Sequence, residues 1–140
     1  MQLKHVSLVV QDQQKALEFY TSVLGFKKIV DVPAGEHRWL CVAAPGGIEG
    51  VELVLEPAAF PPANAYQAAL FEADIPALLL VTEDIEAEHG RLSAKGVKFR
   101  RSPTEAGSVK LAIFEDTCGN LVQMIQFSRQ AGQQWEAWKN

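Results

Sequence analysis

The sequence predicts an α+β fold built from two tandem βαβββ modules. Two observations lead to this prediction. A strand pattern followed by an acidic helix cap occurs twice, at residues 5–12 and 77–84, and each time a helical pattern and three strand patterns follow. Turn residues also separate these patterns at matching places in the two halves. The chain has 140 residues, so it has room for one such domain and not for a second.

The first module begins with the strand pattern His-Val-Ser-Leu-Val-Val at residues 5–10. Asp12 is a suitable cap for a helix that runs to about residue 24, and Gly25 ends that helix. Apolar residues recur within it at steps of three and four, which predicts that one side packs on a sheet. The three strands that follow are expected at about residues 26–32, 38–44 and 50–56.

The second module repeats this order after a connector at residues 57–74, which is rich in Pro, Ala and Asn. Prolines in the connector oppose regular structure until a short helix at residues 66–71. The elements of the second module are expected as a strand at about residues 77–82, a helix at 85–94, and strands at 97–101, 108–115 and 121–127.

These patterns predict one domain at residues 1–127, followed by a tail at residues 128–140. Within the domain, the modules span residues 3–56 and 75–127. The tail carries Trp135 and Trp138, three residues apart, which fits a short amphipathic helical turn that docks on the body or on a partner subunit.

Composition excludes several classes of partner. The formal net charge is -4 and the basic residues are scattered, so nucleic acid is not expected as a partner. The first residues lack the pattern of a signal peptide, and no apolar run approaches the roughly 18 residues of a spanning helix, so we expect a cytoplasmic protein without a membrane partner. Cys41 and Cys118 are expected as free thiols, with Cys41 as a small core residue of an apolar strand.

Four groups of residues carry a resemblance to a known family. The two in the first half are Lys4-His-Val-Ser-Leu-Val-Val, and Ala16-Leu-Glu-Phe-Tyr together with Leu24-Gly-Phe. The two in the second half are Asp84-Ile-Glu-Ala together with Arg91-Leu and Gly96-Val, and Phe114-Glu-Asp-Thr-Cys-Gly-Asn. Together they resemble the glyoxalase / bleomycin-resistance / dioxygenase superfamily, also called vicinal oxygen chelate proteins, over about residues 3–127. The resemblance implies that the modules form a curled mixed sheet around a shared cleft, with the helices on the outer faces. It also implies a homodimer.

Strand alternation indicates which side chains face such a cleft. Residues two apart share a face, so His5 and Ser7 point to one side of the first strand, and the apolar residues at positions 6, 8 and 10 point to the helix. By the same alternation Glu52 points to the cleft, and Trp39 offers a flat contact surface. The predicted ligand-binding residues are His5, Ser7, Trp39, Glu52, Ala77 and Gln123.

The resemblance also implies four metal-ligand positions, one on the first and one on the last strand of each module. By the spacing of the two halves, these positions hold His5, Glu52, Ala77 and Gln123. Ala77 has no donor atom, so only His5, Glu52 and Gln123 remain as metal candidates, and they make an incomplete site. This set fits a cleft without a cofactor better than a bound divalent metal.

The predicted function is therefore the binding of a small molecule in a cleft without a complete metal site. One alternative is a metal-dependent lyase or isomerase of the glyoxalase I type that uses His5 and Glu52. Another keeps Glu52 as a catalytic general base with His5 as its partner. A third is an interaction module that uses the Trp135 and Trp138 tail. The sequence does not distinguish an enzyme from a binding protein, and it does not identify the ligand.

Overall fold

The computed structural model describes residues 1–139, which fold into two four-stranded sheets and their helices. The elements of the first half are β1 (His5–Val10), α1 (Gln13–Glu18), β2 (Lys27–Ala34), β3 (His37–Ala43) and β4 (Glu52–Pro57). A π-helical segment, Phe19–Val23, continues α1. The elements of the second half are α2 (Pro61–Glu72), β5 (Leu78–Val81), α3 (Ile85–Ala94), β6 (Phe99–Ala106), β7 (Val109–Glu115), β8 (Leu121–Phe127) and α4 (Arg129–Lys139).

The two sheets have the same topology. Their strand orders are β1-β4-β3-β2 and β5-β8-β7-β6, and the first and last strands of each half run parallel while the other neighbours are antiparallel. Both sheets stay open and do not close into a barrel. The predicted fold of two tandem βαβββ modules is thus confirmed.

Both predicted helix caps are present at the starts of α1 and α3. The Asp12 carboxylate accepts a hydrogen bond from the Lys15 backbone N–H at 2.9 Å, and the Asp84 carboxylate accepts one from the Ala87 N–H at 3.0 Å. Each cap satisfies a backbone donor that the first helical turn leaves without a partner. Gly25 follows the π-helical segment with φ of 82°, a conformation that glycine adopts without strain.

The helix-facing sides of the two sheets contribute to one hydrophobic cluster. It includes Leu8 and Val10 of β1, as the strand alternation predicted. Val6 was expected with them, but it is 45% exposed and lies outside the cluster. Other buried members are Phe19, Tyr20, Leu40, Val42, Leu53, Leu55, Ile85, Leu92, Phe114, Val122 and Met124. The two halves therefore share one core.

The connector contains a longer helix than the sequence suggested. Helix α2 begins at Pro61, because proline at the first helical positions lacks only an N–H that has no helical acceptor there. Gln67 of this helix is buried, and its amide nitrogen donates to the carbonyl oxygens of Val9 (2.7 Å) and Cys118 (3.1 Å). The connector is thus held against both halves.

The tail forms helix α4, which is longer than the predicted single turn. The Trp135 ring stacks on Phe127 of β8, with centroids 5.6 Å apart, so this part of the tail docks on the body. Trp138 is 72% exposed. Asn140, the last residue of the predicted tail, lies outside the described residues. Among residues 1–139, no helix combines the length and the apolar character that crossing a membrane requires.

Candidate functional site

The first sheet brings His5, Trp39 and Glu52 together on its open side, the side away from the helices. His5 lies directly opposite Glu52 in the parallel pair β1–β4, and His5 Nε2 is 3.5 Å from Glu52 Oε2. The rings of His5 and Trp39 meet edge to face, with centroids 5.4 Å apart. Sequence alternation predicted the common side of His5 and Glu52, because it depends only on residue parity along each strand.

Ser7 extends the polar part of this surface. Its hydroxyl donates a hydrogen bond to Glu56 Oε1 at 3.2 Å, and Glu56 lies four residues beyond Glu52 on β4, on the same side of the strand. A row of hydroxyl, imidazole and carboxylate groups thus follows the paired strands β1 and β4. These groups are suitable for orienting a polar part of a ligand.

Cys41 completes the group, and its burial agrees with the prediction of a small core residue. It is fully buried as expected, but it lies outside the shared hydrophobic cluster. One ligand atom from each of His5, Cys41 and Glu52 lies within 4.8 Å of the others. The alternation that relates Cys41 to Trp39, two positions earlier on β3, is the signal that identifies its side of the sheet.

The protonation of the Cys41 thiol depends on its burial. Burial raises the pKa of the Cys41 thiol to about 11, and the negative charge of Glu52 adds to the effect. Glu52 Oε2 is itself buried and has no hydrogen-bond partner, because the nearby His5 ring lacks the geometry of a hydrogen bond. A buried carboxylate oxygen without a hydrogen bond costs free energy, so Glu52 Oε2 is stabilised by a positive charge nearby, whether on His5 or on a bound group.

The second sheet presents a different, more apolar open side. Gln123 lies opposite Leu79 in the pair β5–β8, and Leu79 and Val81 are 52% and 59% exposed. Ala77 precedes β5, and its backbone N–H donates to the Leu121 carbonyl at 2.9 Å. Within residues 1–139, no hydrogen bond, ion pair or ring contact joins Ala77 or Gln123 to the polar groups of the first sheet.

The parallel strand pairs of the two halves differ in register. Glu52 lies opposite His5, whereas Gln123 lies opposite Leu79, two residues beyond Ala77, the counterpart of His5. The loop before β8 is also shorter than the loop before β4, so the last strands of the two halves enter their sheets differently. The four positions together do not fit a metal ion. Ala77 has no donor atom, and Gln123 is paired with Leu79 rather than with a second donor, as Glu52 is with His5.

Two surface cavities of the single chain lie elsewhere. One of about 290 Å³ is lined by α2 and the turn before β8, including Phe71 and Thr117, and the other of about 460 Å³ is lined by residues 2–4 and 48–51. The predicted ligand-binding residues line neither cavity. Their surface lies on the open sides of the sheets.

Comparison with known proteins identifies the family. The family model of the Glyoxalase/Bleomycin resistance protein/Dioxygenase superfamily matches residues 2–124. The chain belongs to this superfamily. The resemblance predicted from four short groups of residues is therefore confirmed, and the paired βαβββ halves agree with it.

Relatives within the superfamily include proteins of different description. YurT of Bacillus subtilis (strain 168) is 47% identical over 126 residues, which cover 90% of this chain and 99% of YurT. The crystal structure of TnmS3, an antibiotic binding protein from Streptomyces sp. CB03234, is 32% identical with a TM-score of 0.73, covering 91% of this chain and 97% of TnmS3. A lactoylglutathione lyase of Escherichia coli O157:H7 is 28% identical over 127 residues, covering 90% of this chain and 93% of the lyase.

Proposed function

We propose that this protein binds a hydrophobic or aromatic small molecule on the open sides of its sheets, without a metal ion bridging the two halves. The observation that carries the proposal is the apolar open side of the second sheet. Where the family's ligand set requires a donor, this chain has Ala77, and the neighbouring exposed side chains are Leu79 and Val81. A surface of this kind favours apolar contact over metal coordination.

The first sheet supplies the polar and aromatic complement. Trp39 is 38% exposed and contacts His5, so an aromatic face is available beside an imidazole. Small-molecule sites are mostly apolar and contain a few polar groups that fix orientation, and His5, Ser7 and Glu52 fit that role. The relationship to TnmS3, described as an antibiotic binding protein, supports the same class of ligand.

We propose further that two copies of the chain bring their open sides together. Exposed large apolar side chains on these sides are Val32, Trp39, Leu79 and Val81. Contiguous exposed apolar surface is a mark of an interaction site, and a second copy would cover it while forming a cleft between unlike sheets. Sedimentation analysis should then give a dimer, and Leu79→Glu with Val81→Glu should shift it to a monomer. A wild-type monomer at micromolar concentration would contradict this part of the proposal.

We propose a cytoplasmic location as well. Cys41 and Cys118 are both buried free cysteines, and unpaired thiols are usual where the compartment is reducing. Fractionation of the source cells with an antibody against the chain would test the assignment.

The binding function is tested with protein that has been treated with a chelator and dialysed. Calorimetry against a panel of aromatic natural-product antibiotics should find a ligand whose affinity does not depend on added metal. Trp39→Ala should weaken its binding at least about tenfold through lost aromatic contact, while the exposed Trp138→Ala should bind as the wild type does. Binding that disappears after chelation and returns with a divalent metal would favour the lyase or isomerase alternative.

A further inference from the structure

We propose that His5, Cys41 and Glu52 form a binding site for a thiophilic divalent cation such as Zn²⁺, held entirely within the first sheet. This site differs from the four-position set of the family, because Cys41 supplies the third donor and the second half supplies none. It goes beyond the proposed ligand binding and does not depend on it. An imidazole nitrogen, a thiolate sulfur and a carboxylate oxygen are all regular zinc ligands.

The sheet topology brings these three donors together. Strands β1, β4 and β3 are neighbours, and His5, Glu52 and Cys41 lie on the same open side of them. Their ligand atoms lie within 4.8 Å of one another, and the His5–Glu52 pair is already at 3.5 Å. Zinc binds such atoms at about 2.0–2.3 Å. Small rotations of the two solvent-accessible side chains would bring all three into reach of one ion.

A buried carboxylate oxygen that accepts no hydrogen bond also favours a cation at this position. Glu52 Oε2 is buried without a hydrogen-bond partner and faces His5 and Cys41. A bound cation would supply the missing partner, and it would do so for an oxygen that water does not reach.

The buried thiol gives the site its selectivity. Binding would form a sulfur–metal bond and break the S–H bond, with the proton released to solvent. Thiolate sulfur selects Zn²⁺ or Cd²⁺ over Mg²⁺ and Ca²⁺, which prefer oxygen ligands. The His5 side chain is 43% exposed, so the ion has an entry path and a fourth position stays open to solvent.

The first test is a metal titration of the full chain after removal of bound metal. Adding Cd²⁺ should produce the ultraviolet charge-transfer absorption of a cadmium–thiolate bond, which saturates at a single equivalent. Adding Zn²⁺ in weak buffer should release a proton for each ion bound, and Mg²⁺ should do neither. A wild-type protein without the cadmium–thiolate absorption would overturn the site.

Matched variants then assign the ligands. Cys41→Ser should abolish the absorption, whereas Cys118→Ser, at the other buried thiol, should retain it. His5→Ala alters an exposed side chain, so its fold is not at risk. Loss of a hydrogen-bond partner of a metal ligand alone lowers affinity about 10–100-fold, so loss of the His5 ligand should weaken Zn²⁺ binding at least about tenfold.

Three results from these variants would also overturn the proposal. Absorption that persists in Cys41→Ser, or that is lost in Cys118→Ser, would place the metal on another thiol. A Gln123→Ala variant that loses as much Zn²⁺ affinity as His5→Ala would place the ion between the two halves rather than within the first sheet. Because none of these measurements uses an organic ligand, their failure leaves the proposed binding function to its own test.

Discussion

Tyr20 and Asp116 form a fully buried hydrogen bond that joins the two halves of the chain. The Tyr20 hydroxyl, on the π-helical segment after α1, donates to Asp116 Oδ2 at 2.9 Å, and both residues have no exposed surface. Asp116 also accepts hydrogen bonds from the backbone N–H groups of Cys118 and Asn120 and from the Asn120 amide. These hydrogen bonds offset the cost of burying the Asp116 carboxylate in the loop before β8.

Removing the tyrosine hydroxyl should weaken this connection. Tyr20→Phe should lower the free energy of unfolding by about 1.5–3 kcal/mol, the range for a hydrogen bond to a charged group. Urea denaturation followed by circular dichroism measures the change. Tyr66→Phe, at a ring that is 67% exposed, is the control and should change stability by less than about 0.5 kcal/mol. Equal losses in the two variants would mean that the buried bond adds nothing.

Helix α2 should depend on one amide. Gln67 donates to Val9 and Cys118, so Gln67→Ala should leave carbonyl groups from both halves without this partner and cost about 1–3 kcal/mol. Limited proteolysis should then cut within α2 faster than in the wild type. The exposed Gln133→Ala should show neither effect, and unchanged proteolysis of the Gln67 variant would indicate that α2 is held by its other contacts.

Local patterns explain how much of this structure the sequence predicts. The caps at Asp12 and Asp84 and the common side of His5 and Glu52 depend only on short-range rules, namely cap chemistry and strand alternation. The sequence therefore predicted the order of elements and the polar part of the candidate site. Helix α3 matches its expected range of residues 85–94.

The parts that were missed depend on relations between distant residues. The register of β8 on β5 differs from that of β4 on β1, and the strand patterns do not predict this because loop lengths contribute to the register. The burial of Cys41 agrees with the predicted core position, but its place beside His5 and Glu52 depends on how β3 pairs with β4. Pro61 was treated as a helix breaker although its position makes it a helix start. The N1 preference of proline would have been enough to correct this last assignment.

Truncating a side chain in the core of the first half should cost more stability than truncating one on the open side of its sheet. Phe19 is 5% exposed and contacts the rings of Tyr20 and Phe114, so Phe19→Ala should cost about 3–5 kcal/mol in unfolding free energy. His5→Ala removes an exposed side chain from the open side and should cost less than about 1 kcal/mol. Thermal and urea unfolding of both variants measure the difference. Similar losses would contradict the assignment of the two faces.

The buried thiols should make the protein sensitive to alkali. Burial raises the pKa of Cys41 and of Cys118 from 9.0 to about 11. Between these values the unfolded chain has lost both thiol protons and the folded chain still holds them, so the unfolding free energy falls as the pH rises. The full contribution is present below about pH 9 and is lost as the pH passes about 11. Each thiol contributes a slope of up to about 1.4 kcal/mol per pH unit.

Urea unfolding at several pH values between 8 and 11, with a chelator present so that no metal ionises Cys41, measures this slope. Cys118→Ala should lower stability at pH 8 through lost packing, yet its stability should fall less steeply with pH than that of the wild type, because one titrating thiol is gone. Tyr20, whose pKa burial also raises, is retained in both proteins and adds the same term to each slope. Parallel stability curves for the two proteins would mean that Cys118 titrates alike in the folded and unfolded chains, which its burial beside the Asp116 carboxylate argues against.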